Sequence, residues 1–137
     1  MINESLVADY LRRCAARLKS IQVLMVEKSW ADVVRESQEV VELALKALLR
    51  AYQIEPPRIP DVSDILIQNQ SQFPEVIQKK IDSIAKISRS LRRDRELAFY
   101  GSEDLTPSDF YKEEDAVTAF AQAKEVVEFS NLGVKFR

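Results

Sequence analysis

Glycine is scarce in this chain, with only Gly101 and Gly133 among 137 residues. Glycine is the residue that most readily adopts the positive φ angles of tight hairpin turns, so a chain with two glycines can build few short β-hairpins. The apolar residues instead recur at steps of three and four, which is the spacing of one face of an α-helix. These two features predict an all-α protein.

Two apolar seams in the N-terminal half predict the first two helices. The sequence Ser29-Trp30-Ala31-Asp32 has the form of a capping box and predicts the start of the second helix. The apolar face of that helix is broad, which predicts a central helix contacted from more than one side. The seam of the first helix consists of Val7, Leu11, Cys14, Leu18, Ile21 and Met25.

Prolines divide the middle of the chain. Pro56, Pro57 and Pro60 cannot continue a helix and predict an extended connector, which is followed by a short helix over residues 61–69. Pro74 suits the first turn of a third long helix, which continues to about Ala98 and is closed by Gly101. Its predicted inner face consists of Ile77, Ile81, Ile84, Ser88 and Leu91.

The C-terminal part predicts a loop and a last long helix. Residues 102–111 form the loop, in which Thr106-Pro107-Ser108-Asp109 resembles a helix start. The last helix is predicted from about Lys112 to Asn131, and the tail after it shows no further pattern. Its predicted buried face consists of Ala116, Val117, Phe120, Ala123 and Val127.

Four long helices with short connections predict an antiparallel four-helix bundle with one or two extra short helices, as a single domain over residues 1–137. The chain has no apolar run long enough to span a bilayer and no signal-peptide pattern at its N-terminus. The single Cys14 fits a reducing compartment. A soluble, cytoplasmic protein is therefore expected.

Histidine is absent from the chain. This excludes histidine general acid–base catalysis, Ser-His-Asp triads and histidine metal sites. Glu39 and Glu42 share a helix face, but Lys46 follows Glu42 by four residues and favours a surface ion pair. We expect neither a metal nor a cofactor.

A basic segment stands out against the net charge of −2. Residues 79–95 carry seven basic residues against two acids, whereas residues 103–115 carry six acids against Lys112 alone. Tyr100 follows Arg93 by seven residues, two helical turns along the same face. The segment predicts either a groove for RNA or a phosphate-bearing ligand, or a solvated face that pairs with the acidic segment. The candidate ligand-binding residues are Arg89, Arg92, Arg93, Arg95 and Tyr100.

Three stretches resemble the small prokaryotic HEPN-domain proteins: SQEVVELALKALLRAYQIEPPRIPDVSDIL at 37–66, LRRDRELAFYGSED at 91–104 and YKEEDAVTAFAQA at 111–123. The resemblance covers nearly the whole chain. It implies a bundle of four or five helices that forms a homodimer, in a family whose members are frequently encoded beside a minimal nucleotidyltransferase. For the dimer, we expect leftover apolar surface on the first or the last helix to be used.

Many members of that family are metal-independent ribonucleases with an arginine followed by a histidine, and the toxin branch adds a tyrosine two residues later. In this chain Arg93 takes the arginine position, Ala98 stands where the histidine belongs, and Tyr100 takes the tyrosine position. Arginine can stabilise charge that develops on a phosphate but cannot act as the base. Ribonuclease activity by the family mechanism is therefore not expected.

The leading hypothesis is a non-catalytic, homodimeric HEPN-type binding module. Its basic groove would bind RNA or a nucleotide, and it would act with a minimal nucleotidyltransferase in a toxin–antitoxin-like pair. In the toxin branch such a partner modifies the corresponding tyrosine with AMP, so the resemblance makes Tyr100 a candidate acceptor.

Two alternatives stay open. One is a weak metal-independent ribonuclease that uses Arg93 or Arg95 with Tyr100 and a carboxylate such as Asp94 or Glu96. The other is a purely structural dimer scaffold whose arginines pair with Glu103, Asp104 and the acids at 113–115.

Overall fold

The structure, a computed structural model, describes residues 3–93, residue 100 and residues 106–137. For residues 91–93 the description covers the backbone alone. Within these ranges the chain is helical and contains no strand, which confirms the all-α prediction. A 3₁₀ turn at Gln70–Gln72 follows the third helix. The α-helices are α1 Glu4–Val26, α2 Trp30–Ala51, α3 Ser63–Gln68, α4 Glu75–Gln78, α5 Ile81–Arg93, α6 Pro107–Phe110 and α7 Glu113–Lys135.

The long helices alternate in direction. The start of α1 lies beside the ends of both α2 and α7, because Val7 packs with Ala51 and Glu4 pairs with Arg137 at 2.6 Å. The ends of α2 and α7 lie together, since the Tyr52 hydroxyl donates to the Gly133 carbonyl at 2.7 Å. With α5 running antiparallel to α7, the arrangement confirms the antiparallel four-helix bundle.

The parallel pair α2 and α7 forms the centre of the bundle. The inner face of α7 contains small buried residues, which let the two helices approach closely. At Gly133 an added Cβ would lie 2.5 Å from Leu48 Cδ1, and Leu48 is fully buried. Helix α2 contacts α1, α5, α6 and α7, which confirms the prediction of a central helix.

Two helices end in the same backbone motif. After α1, Lys28 has a positive φ of 59° and the Ser29 N–H donates to the Leu24 carbonyl. After α2, Gln53 has a φ of 59° and the Ile54 N–H donates to the Leu49 carbonyl at 2.9 Å. Both are Schellman motifs in which the left-handed position is not a glycine.

Helix α2 begins where expected, but the predicted hydrogen bonds of a capping box do not form. Ser29 is the N-cap residue, but its hydroxyl bonds the Asp32 carboxylate at 2.6 Å and makes no bond to a backbone N–H. By contrast, the predicted start at Thr106 is confirmed, since its hydroxyl accepts from the Asp109 N–H and opens α6.

The third long helix is divided, which corrects the prediction of one continuous helix after Pro74. Helix α4 ends at Gln78 and α5 begins at Ile81, with a turn at residues 79 and 80. The predicted inner face is confirmed for the four members whose side chains are described, all of them buried: Ile77, Ile81, Ile84 and Ser88.

The last helix is longer than predicted, and its buried face differs from the predicted one at one position. It runs to Lys135, so the tail assigned no pattern is helical as far as that residue. Val117 was predicted to be buried but is 49% exposed, because the buried face passes through Ala116 and Phe120 and leaves the next position outside. The other four predicted positions are buried.

Candidate functional site

An open groove of about 770 Å³ lies between α5 and α7, next to the end of the proline-containing connector. Most of its wall comes from the outer side of α5, with one residue from the connector and one from α7. The lining residues are Asp61, Ser83, Lys86, Ile87, Arg89, Ser90 and Gln122.

The amphipathic character of α5 places these side chains in the groove. Ile84 and Ser88 are buried against the bundle. Ser83, Lys86 and Ser90 follow one another at steps of three and four residues, so they form a row on the exposed side of the same helix. Two hydroxyls therefore flank an amino group along one wall.

Asp61 ties the connector to α5. Its Oδ1 accepts hydrogen bonds from the Ser63 N–H at 2.9 Å and from the Ser88 hydroxyl at 3.0 Å. The same Ser88 oxygen accepts the Val62 N–H at 3.2 Å. Burial alone would raise the pKa of Asp61, but hydrogen bonds from Ser63 and Ser88, together with the charge of Arg89, hold that pKa below its ordinary value. Asp61 is therefore ionised at neutral pH.

Arg89 is the second cation of the groove. Its side chain is 55% exposed, and its Nη2 lies 3.8 Å from Oδ1 of Asp64, which is 85% exposed. An exposed pair at that distance contributes little stability, about 0–1 kcal/mol. An anion in the groove can therefore compete with Asp64 for the guanidinium.

A second groove of about 480 Å³ lies between the start of α5 and the end of α7. Its charges are balanced, with Lys80 and Lys135 against Glu125 and Glu128. The groove along α5 has two cations, Lys86 and Arg89, against the single acid Asp61, so it is the better anion site of the two.

Comparison with protein families gives a match to the HEPN domain over residues 7–132, which is most of the chain. The chain belongs to the HEPN domain family. The match confirms the resemblance drawn from the three sequence stretches. Comparison with curated proteins and with solved structures gives no significant match.

The predicted site residues of this HEPN domain have different outcomes. Arg89 lies in the groove. Arg92 and Arg93 belong to the last turn of α5, but their side chains are outside the description. Tyr100 is 74% exposed. Four further positions lie outside the described residues: Asp94, Arg95, Glu96 and Ala98. Whether Arg93 and Tyr100 share a face stays a prediction.

Sequence reasoning missed much of the groove. Charge places Lys86 in the basic segment, but spacing and charge assign no role to Asp61, Ser83, Ser90 or Gln122. The row of Ser83, Lys86 and Ser90 opposite the isoleucine seam was a usable signal. Gln122 could not be found in this way, because only the packing of α7 against α5 brings it to the groove.

Two further candidates among the described residues, Glu42 and Cys14, are held in structural contacts. Glu42 pairs with Lys46 at 2.9 Å, as predicted, although the two side chains are only 21% and 17% exposed rather than on the open surface. Burial raises the pKa of Cys14 to about 11 despite the nearby Arg17 and Arg13, so its thiol is neutral and a poor nucleophile. In the parts of the chain that the structure describes, no three His, Cys, Asp or Glu side chains are grouped to hold a metal.

The aromatic residues give no common stacking surface within the described ranges. Tyr111 and Phe120 are buried, Trp30 is half-buried and Phe110 is 42% exposed. These residues mainly pack in or against the core. None of the described helices combines the length and apolar character needed to cross a bilayer.

Proposed function

We propose that this HEPN domain is a binding module that holds RNA or a nucleotide by its phosphates in the groove along α5. The groove itself carries the proposal. Lys86 and Arg89 provide positive charge for phosphate oxygens. The hydroxyls of Ser83 and Ser90 donate to the Lys80 and Ile87 carbonyls at 2.9 and 3.3 Å, so each would exchange that bond to donate to a phosphate. Lys86 and Arg89 lie on a helix rather than on a loop, so their backbone positions are fixed before a ligand arrives.

The proposed role is binding without histidine-dependent ribonuclease activity. Attack by an RNA 2′-hydroxyl requires a base that removes its proton, and neither this chain nor an identical partner contains histidine. The carboxylate described in the groove, Asp61, has a lowered pKa and is a weak base at neutral pH. The cations would then serve to hold the ligand.

The proposal extends to a homodimer that acts with a minimal nucleotidyltransferase in a toxin–antitoxin-like pair. Apolar side chains are exposed on both helices expected to supply a dimer face: Val23 and Val26 on α1 are 60% and 72% exposed, and Val117 on α7 is 49% exposed. Tyr100, with 74% of its surface exposed, is accessible to a modifying enzyme.

Fluorescence anisotropy with a labelled single-stranded RNA octanucleotide tests the groove. We expect Lys86→Ala and Arg89→Ala each to weaken binding about three- to tenfold, and each to reduce the slope of log affinity against log salt by about 0.7. Lys19→Ala is the matched control, because Lys19 is an exposed lysine on α1 outside the groove. Equal effects of all three substitutions would show non-specific attraction and contradict the proposal.

Incubation with a minimal nucleotidyltransferase, together with ATP, tests the partner. We expect a mass increase of one AMP on the wild-type chain and none on Tyr100→Phe. Gel filtration of the same mixture should show a complex. No complex and no mass change would remove the partner from the proposal and leave the groove to be judged by RNA binding alone.

A further inference from the structure

The negative charge of Asp61 is not expected in a groove that binds only phosphate. Its ionised carboxylate lines the same groove as Lys86 and Arg89, and it would repel a phosphate placed beside it. A ligand that suits both signs of charge carries an anionic group at one point and a hydrogen-bond donor a short distance away.

The carboxylate of Asp61 is oriented and still has capacity to accept hydrogen bonds. Two short bonds, from the Ser63 N–H at 2.9 Å and the Ser88 hydroxyl at 3.0 Å, both end on Oδ1. The Ser63 hydroxyl also contributes to the lowered pKa. A carboxylate offers about four acceptor positions, so at least one remains for a ligand, mainly at Oδ2.

A ribonucleotide has the required combination of groups. Its phosphate and its ribose lie within one nucleotide, and the ribose 2′-hydroxyl is a donor that DNA lacks. Acidic side chains accept hydrogen bonds from ribose hydroxyls in other nucleotide-binding folds. On the basis of the proposed function, we infer that the groove selects RNA over DNA, with Asp61 accepting the 2′-hydroxyl while Lys86 and Arg89 hold the phosphate.

Asparagine at position 61 separates this role from a structural one. The amide oxygen can keep the bonds from Ser63 and Ser88, while its NH₂ group replaces the acceptor at Oδ2. The substitution also removes one negative charge beside the phosphate. Asp61→Asn should therefore lose the preference for RNA without weakening the binding of DNA.

The experiment compares labelled octanucleotides of one sequence as RNA, DNA and 2′-O-methyl RNA, using anisotropy on the full chain. We expect the wild-type protein to bind RNA about tenfold more tightly than DNA, as for one hydrogen bond to a charged group, and 2′-O-methyl RNA to behave like DNA. Asp64→Asn is the matched control, because it removes the same charge near Arg89 from a side chain outside the groove lining. It should keep the RNA preference.

The possible results are distinct. If Asp61→Asn binds RNA and DNA with nearly equal affinity, and its affinity for DNA is unchanged or higher than that of the wild-type protein, the inference is supported. Equal binding of RNA and DNA by the wild-type protein overturns it but leaves the proposed phosphate groove standing. Loss of affinity for both by Asp61→Asn shows a structural role and also overturns it. Binding of neither oligonucleotide by the wild-type protein overturns the proposed function and this inference together.

Discussion

Ser88 shows how one buried hydroxyl can organise a groove. It donates to Asp61 and accepts from the Val62 N–H, so it joins the connector to α5 through two hydrogen bonds. Ser88 is 3% exposed and Val62 is 1% exposed, so water cannot readily replace either bond. The position of Asp61 in the groove therefore depends on a residue that does not line it.

Ser88→Ala removes a donor and an acceptor from this arrangement. We expect a loss of about 1–3 kcal/mol in the free energy of unfolding, because the buried Val62 N–H is left without a partner. Urea denaturation measures the change. Ser83→Ala on the same helix is the control and should change stability by less than about 0.5 kcal/mol, because the Ser83 hydroxyl is exposed. Equal changes for both would contradict the assigned role of Ser88.

The sequence indicated Asp61 only weakly. It appears in the stretch that resembles the HEPN family, but nothing in its spacing connects it with Ser88, which lies 27 residues later. Arg89 was easier to predict, since a cluster of like charges is visible in a linear sequence. Contacts between distant segments are set by packing, and a single sequence does not display them.

The ends of α1 and α2 provide a test of helix termination. Gln53 has a φ of 59°, a left-handed conformation that costs a non-glycine residue about 1–2 kcal/mol. Glycine avoids this strain but loses about 0.5–1 kcal/mol through its greater freedom in the unfolded chain. We expect Gln53→Gly to stabilise the protein by roughly 0.5–1 kcal/mol in thermal or urea unfolding. Gln53→Val is the opposing control and should destabilise, because branched side chains tolerate positive φ poorly.

The helices themselves were predictable from apolar spacing, but their limits were not. Ala116 and Val117 both fit the helical spacing to Phe120, and the sequence predicted both to be buried, whereas only Ala116 is. The last helix was predicted to end near Asn131, whereas it continues through Gly133 to Lys135. The glycine is there accommodated within the helix by close contact with Leu48 on α2, which is a tertiary effect.

The stability of the bundle should have a defined dependence on pH. Asp61 has a folded pKa below its ordinary 3.8, so its contribution is present above that value and is lost as the pH falls through the folded pKa. Cys14 has a pKa raised from 9.0 to about 11, so the unfolded chain ionises first and stability falls between about pH 9 and 11. Burial also raises the pKa of Tyr52 above 10.0, which extends the alkaline loss.

Urea unfolding midpoints measured across pH test both the acidic and the alkaline loss of stability. Asp61→Asn should reduce the loss of stability at acidic pH and leave the alkaline loss unchanged. Cys14→Ala should reduce only the alkaline loss, and the part that comes from Tyr52 should persist. Each variant thus acts as the control for the other. If the loss of stability at acidic pH is unchanged in Asp61→Asn, other carboxylates determine it.

Helices α2 and α7 come into close contact at Gly133 and Leu48. A double-mutant cycle measures the energetic coupling between these two positions. Gly133→Ala places a Cβ 2.5 Å from Leu48 Cδ1. Overpacking of a buried site costs about 1–3 kcal/mol, which exceeds the gain of about 0.5–1 kcal/mol from alanine in a helix. We therefore expect net destabilisation.

Leu48→Val removes bulk at the same contact and should cost about 1 kcal/mol through lost packing. The pair Gly133→Ala and Leu48→Val should be less destabilising than the sum of the single changes, because the smaller side chain makes room for the new methyl group. Additive effects in urea unfolding would show that the two helices separate to admit the methyl group. In that case, spacing of the helices, rather than the shape of Leu48, would limit the residue at position 133.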